Sequence, residues 1–171
     1  MKQVALLLSL FLCITTAAVS QDGEELMKRN GFKDLQLGSE IGTVVGATFK
    51  KDIKEKNEFP AKLYQVKNPE YASIGEVIVK KVEVKTYKDF VYEINVITDK
   101  DTRLMKGMEM AYGKPVYIIP TDTYNWKAET LSLTFKNNSK KTILLTYRCY
   151  PVLKMMAEDK GKKIEDIADD F

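Results

Sequence analysis

Between Glu76 and Ile97 the chain writes the pattern of a β-strand twice in succession, and this limits its fold more than any other feature. Glu76 to Lys85 is rich in valine, and Phe90, Tyr92, Ile94 and Val96 alternate with Val91, Glu93, Asn95 and Ile97. β-Branched and aromatic residues at a period of two suit a pleated ribbon, and the short connection through Thr86 to Asp89 makes the two strands an antiparallel hairpin. Such a ribbon must bury its apolar side, so the rest of the chain has to supply a cover. Within the first strand the apolar phase moves from Val77 and Val79 to Val82 and Val84. One extra residue near Lys80-Lys81, a β-bulge, accounts for the change of face.

A second hairpin follows the same logic. Leu131, Leu133 and Phe135 alternate with Ser132 and Thr134, Asn137-Asn138-Ser139 makes a turn, and Ile143, Leu145, Tyr147 and Cys149 resume the alternation. Between the hairpins, Leu104, Met105, Met108, Ala111 and Tyr112 recur at helical spacing. Asp99 or Asp101 can cap that helix, Gly113 sits where a left-handed terminal residue belongs, and Pro115 prevents continuation. A strand at Val116 to Ile119 and a loop from Pro120 to Lys127 come next. Upstream, Gln21 to Asn30 is polar with a short helical pattern, and Ser39 can cap a short helix through Ile41, Val44 and Val45 that ends at Gly46. Lys50 to Glu58 reads as a charged linker, and Lys62 to Val66 as a short strand. Pro151 opens a last helix that Gly161 interrupts.

These elements predict an α+β fold, an antiparallel β-sheet built of two hairpins with helices packed on one face. The expected organisation is a signal peptide over 1–20, a flexible N-terminal segment over 21–31, and a single α+β domain with a C-terminal helix over 32–171. Residues 32–98 and 100–150 each give a helix and then a strand pair, the outline of a repeat with little residue identity.

Lys2 precedes an apolar run from Val4 to Ile14, and Thr15 to Ser20 is a stretch of mostly small residues. That is the layout of a secretory signal peptide, with cleavage expected between Ser20 and Gln21 or, alternatively, after Ala18. The stretch falls short of the roughly 20 apolar residues that span a bilayer. The expected location is periplasmic or secreted, with no transmembrane helix in the mature chain. Removing 20 of the 171 residues leaves 151, enough for one hydrophobic core without staples.

Cys13 lies in the leader, so the mature chain carries only Cys149 and no internal disulfide. Cys13 as an acylation site would want a small residue before it, and Leu12 stands there. Cys149 alternates in phase with the apolar residues of its strand and reads as a small buried hydrophobe. The chain has no histidine, which removes imidazole bases, Ser-His-Asp triads and histidine metal sites together. No metal site and no cofactor are expected. The formal charge is +3, with lysine pairs scattered among acids, whereas nucleic acid needs a concentrated basic stripe.

No nucleophile-base set stands out, and no catalytic residue is assigned. Glu83 and Glu93, on partner strands, are the residue type that could run glycoside hydrolysis without histidine. Glu158, Asp159, Glu165, Asp166, Asp169 and Asp170 have helical spacing and read as a solvated helix face. Tyr124 and Trp126, with Tyr117 nearby, are the candidate binding surface, because exposed aromatics on a loop favour recognition of a protein or a sugar. The alternative is that Trp126 folds back over the sheet edge.

Phe32-x-x-Leu35-x-Leu37-Gly38-Ser39 followed by Val44-Val45-Gly46, the helix closing in Tyr112-Gly113-Lys114-Pro115, Trp126, and Leu131-x-Leu133-x-Phe135 together resemble small secreted α+β domains of bacterial envelopes. The layout is similar to β-lactamase-inhibitor-like and outer-membrane assembly lipoprotein domains over residues 32–150. The resemblance implies a non-enzymatic binding or envelope-assembly role. Assembly lipoproteins carry an acylated cysteine at the mature N-terminus, which this chain lacks. The expected function is therefore an exported, monomeric binding protein whose partner is a protein or glycan of the envelope. A carboxylate-pair hydrolase and a lipid-tethered structural component are the alternatives.

Overall fold

The computed structural model of the chain describes residues 21–55 and 59–168. The expected leader, with Cys13 and Ser20, and the acids Asp169 and Asp170 lie outside the described residues. In chain order the elements are α1 (Gln21–Arg29), β1 (Gly31–Phe32), β2 (Leu35–Gln36), β3 (Ala47–Glu55), β4 (Phe59–Val66), β5 (Ser73–Ile74), β6 (Val77–Tyr87) and β7 (Phe90–Asp99). There follow α2 (Thr102–Tyr112), β8 (Val116–Ile118), β9 (Thr123–Lys127), β10 (Leu131–Asn137), β11 (Thr142–Cys149) and α3 (Tyr150–Ala168).

The fold is α+β, but its sheet is larger than two hairpins. Eight strands lie side by side in the order β3-β4-β6-β7-β11-β10-β9-β8, β5 adds to β6, and β1-β2 form a separate pair. Every pairing is antiparallel. The order has a simple origin. β3, β4, β6 and β7 meander in chain order, as do β8 to β11, and the two meanders meet through their last strands, β7 and β11. The helix expected within 32–98 is only the one turn at Ile41–Thr43, and each half gives four sheet strands and not a strand pair, so the expected repeat is not seen in that form.

Side chains at period two give the sheet one apolar face. Across the seam Ile94 pairs with Tyr147 and Val96 with Leu145. On either side Val84 and Val82 continue those rows through β6, and Leu133 and Phe135 through β10. All eight are buried. Full burial of such a side chain contributes about 1.5–3 kcal/mol, so these two rows form the main core. Helices α1 and α2 pack against each other, and α1 also lies on β9 and β10. The stretch Gln21 to Asn30, expected to be loosely held, is thus a helix anchored by a fully buried Leu26.

Helix α2 starts and stops where the sequence places it. The Asp101 carboxylate accepts from Arg103 N at 2.8 Å, and Asp99 instead pairs with Lys80 at 3.0 Å. Gly113 closes the helix at φ +77, and its carbonyl accepts from Trp126 Nε1 at 2.8 Å. Of the two readings of Trp126, the packed one holds, at 3% exposure. The segment expected as a loop there is strand β9, because Trp126, opposite Leu133, continues the apolar row.

Other differences have equally local causes. The charged linker from Lys50 is mostly strand β3, an exposed edge whose lysines discourage pairing with a further strand. Ser39 does not cap a helix; its hydroxyl donates to Gln36 O, and the helix shrinks to one turn at Ile41–Thr43. Gly161 does not interrupt α3, which runs through it. The bulge between Val79 and Lys81 is present, and a second register shift, at Lys85/Thr86, leaves Tyr92 unpaired. Tyr92 comes to lie beside Glu93 and Glu55.

Two glycines make opposite demands. Gly46, at φ +81, would place a Cβ 2.1 Å from Lys67 O, whereas a Cβ on Gly107, within α2, would meet nothing within 4 Å. Gly46→Ala should cost about 2 kcal/mol or more. Gly107→Ala should stabilise by about 0.8–1 kcal/mol, the helix-propensity difference. Urea unfolding of the two variants checks both signs.

Candidate functional site

The structure divides the aromatic surface expected from the sequence. Tyr117 and Tyr124 pack with tilted rings, centroids 4.9 Å apart, on neighbouring strands β8 and β9. Tyr124 meets Phe135 edge-on, and the Tyr117 hydroxyl donates to Asp122 Oδ1 at 2.8 Å. Trp126 does not join them; it faces Tyr112 of α2, ring to ring at 6.4 Å. What remains is a tyrosine pair at a sheet edge, with Ile119 exposed next in the chain and Val116 exposed on the opposite face. Gln21, the residue expected to begin the mature chain, is the first residue of α1.

A more enclosed site lies over the seam, beside the packed helices α1 and α2. It is a cleft of about 840 Å³ bounded by α1, α2, the β1–β2 pair, the β5–β6 turn and the apolar face of β11. Its wall is apolar, with Phe32, Val77, Leu104, Met108 and Leu145 from four elements. On α2 the wall steps back at Gly107 and Ala111, whose small side chains leave the depth open. The volume falls within the roughly 300–1,000 Å³ of small-molecule sites, which combine apolar walls with a few convergent polar groups.

The convergent groups are Tyr147, Tyr112 and Arg29. Tyr147 is 4% exposed and its hydroxyl lies close to that of Tyr112. Burial pushes both phenols up, Tyr147 strongly, so both stay protonated through neutral pH. The Arg29 guanidinium lies over the Tyr112 ring at 5.6 Å from its centroid and tempers the shift of that phenol. Arg29 also donates to Glu25 at 2.8 Å. At the other end of the cleft Arg103 joins Glu76 at 2.7 Å and Asp101 at 2.8 Å, tying α2 to the β5–β6 turn.

None of Arg29, Tyr112 and Tyr147 stands out in the sequence. Tyr147 sits in an ordinary strand pattern, Tyr112 in an ordinary helix, and Arg29 in the stretch expected to be loose. Their convergence depends on α1 lying across strands of the other meander, which no local pattern encodes.

The opposite face of the sheet is polar. One register row runs Thr48, Gln65, Glu83, Asn95, Thr146, Thr134, Asn125 across seven strands. Beside it Glu93 is 5% exposed and fully engaged. Its Oε1 accepts from Asn95 at 2.7 Å and faces Lys85 at 3.1 Å, and its Oε2 accepts from Arg148 at 2.8 Å. Lys85 also reaches Glu55 at 2.5 Å. Burial pushes the Glu93 carboxyl up, but Lys85, Asn95 and Arg148 outweigh it and hold the group below the ordinary carboxylate range. An acid that stays ionised cannot donate a proton to a leaving group, so Glu93 is poorly suited to that half of a hydrolase pair. Glu83 pairs with Lys81 at 2.7 Å.

A second hollow, of about 730 Å³, runs beside α3. There Lys62 pairs with Asp89, and Lys88 with Asp159, while Lys54, Lys162 and Lys163 also line it and leave it net basic. Burial pushes the Cys149 thiol up, which keeps it an unreactive core residue.

No family model matches the chain, and neither a curated protein nor a solved structure matches it.

The Glu93 cluster has a pH signature. A carboxyl with a depressed folded pKa stabilises the fold above its unfolded value, 4.5, and loses that contribution as pH falls through the folded value. At pH 7 Glu93→Gln should cost about 1–3 kcal/mol, because Lys85 and Arg148 lose their shared partner. Denaturant unfolding from pH 7 to pH 3 should show the wild-type advantage shrinking once the pH drops below the unfolded value.

Proposed function

We propose that the protein is an exported, non-catalytic binding protein of the bacterial envelope that holds a small ligand in the cleft between α1, α2 and β11. The cleft itself carries this reading: a recess of about 840 Å³ with apolar walls and three polar groups converging at one place. The leader-like Met1 to Ser20 supports a periplasmic or secreted location, and cleavage before Gln21 would free the chain at the start of α1. The resemblance to secreted envelope domains points the same way. Among the described residues no helix is long and apolar enough to cross a membrane.

A second reading is favoured by one observation. Tyr117 is 47% exposed and packs at a tilt against Tyr124, with Ile119 exposed close by in the chain, a contact surface for a protein or glycan of the envelope. The enclosed cleft outranks it, because walls on several sides remove more of a ligand from water than an edge can.

N-phenyl-1-naphthylamine, a neutral apolar fluorophore, tests the cleft directly. Titrated against the purified protein, it should bind saturably at one site with enhanced emission. Gly107→Phe projects a ring into the cleft from a position with no atom in the way, and should weaken binding at least about tenfold while the circular dichroism stays unchanged. A probe that ignores the protein, or binds the variant equally well, would contradict the proposal.

A further inference from the structure

We infer that the ligand of this cleft is an amphipathic anion, a single apolar chain ending in a carboxylate or phosphate whose head sits at Arg29. The inference rests on the cleft being a binding site and adds the chemistry of what it holds. Its basis is an imbalance of charge between the two ends. At the α2 end Arg103 is matched by two carboxylates, Asp101 and Glu76. At the α1 end Lys28 and Arg29 share the single carboxylate of Glu25, at 3.8 and 2.8 Å. Lys33, which also lines that end, is bonded to the main-chain carbonyl of Glu70 and not to a carboxylate. The mouth is therefore basic at one end only.

Cations in the last turn of α1 would be expected in any helix, because they complement its dipole. The dipole does not explain why Arg29 turns over the face of Tyr112, inside a cleft, beside the buried Tyr112–Tyr147 hydroxyl pair. Those phenols remain neutral, so they add hydrogen-bonding capacity without a repelling charge. A carboxylate or phosphate placed there would gain the guanidinium and the phenols together, with bonds stronger than neutral ones. From that point the apolar wall, through Leu145 and Leu104 to Val77, leads away toward Glu76. A neutral chain of methylenes suits the wall, and the acidic far end disfavours a second negative group. A polyanion or a free inorganic anion fits less well than one head on one tail.

The test is competition against bound N-phenyl-1-naphthylamine with four ligands of one chain length: hexadecanoate, hexadecyl phosphate, hexadecanol and hexadecyltrimethylammonium, all below their aggregation thresholds. The two anions should displace the probe at least about tenfold better than the alcohol or the cation, and added salt should narrow that gap. Their relative order separates a free carboxylate from a phosphate-bearing ligand. Arg29→Gln should bring the anions to the level of the alcohol, and Arg29→Lys should keep most of the preference. If hexadecanol competes equally, or Arg29→Gln leaves the anions unchanged, the anionic ligand is wrong while the cleft stands. If the probe does not bind, both fall together.

Discussion

The pairing of β7 with β11 is the interaction on which the rest depends. It joins the last strands of two meanders, and without it the chain would be two open four-stranded sheets, each with a bare inner edge. The register of that seam also decides what each face does. Leu145 and Tyr147 point to the apolar side and form the floor of the cleft, while Thr146 and Arg148 point the other way and satisfy Asn95 and Glu93. A slip of one residue would exchange the two sets, placing Arg148 under the helices and Tyr147 in the polar row. Both faces therefore enforce the same register, one through apolar burial and the other through a buried carboxylate that only this alignment neutralises.

The cover is as informative as the sheet. α1 precedes the first meander in the chain but lies on β9 and β10 of the second. The two topological halves are thus interlocked, which is why the stretch over 21–29 belongs to the core. Beside the two helices a recess remains over the seam, lined on α2 by Gly107 and Ala111.

The sequence made the period-two and helical patterns legible wherever one side of an element is buried. The hairpin from Val77 to Asp99, the helix that begins after Asp101 and the bulge beside Lys80-Lys81 all carried that signal. It failed where no side is buried or where contacts are distant. β3 is an exposed edge, so its lysines resemble a linker. α1 has a single fully buried anchor, Leu26, too little to distinguish a packed helix from a frayed one. The second register shift at Lys85 and Thr86 lies inside an unbroken alternation, so Tyr92 was expected beside Ile94 and not beside Glu93. Of the aromatic surface, Tyr117 and Tyr124 come together, but Trp126 was separable from them only by knowing that Leu133 pairs with it. The cleft was illegible because its groups come from α1, α2 and β11, and chain order says nothing of their meeting.

Amide chemical-shift mapping during titration with hexadecanoate tests the central claim most directly, because it reports on every candidate surface at once. The largest perturbations should cluster at Arg29, Gly107, Tyr112 and Leu145, with Asn95 and Thr134 on the polar face and Tyr117 and Tyr124 at the edge little changed. Perturbations centred on the polar row or on the tyrosine pair, with the α1–α2 cleft silent, would contradict it.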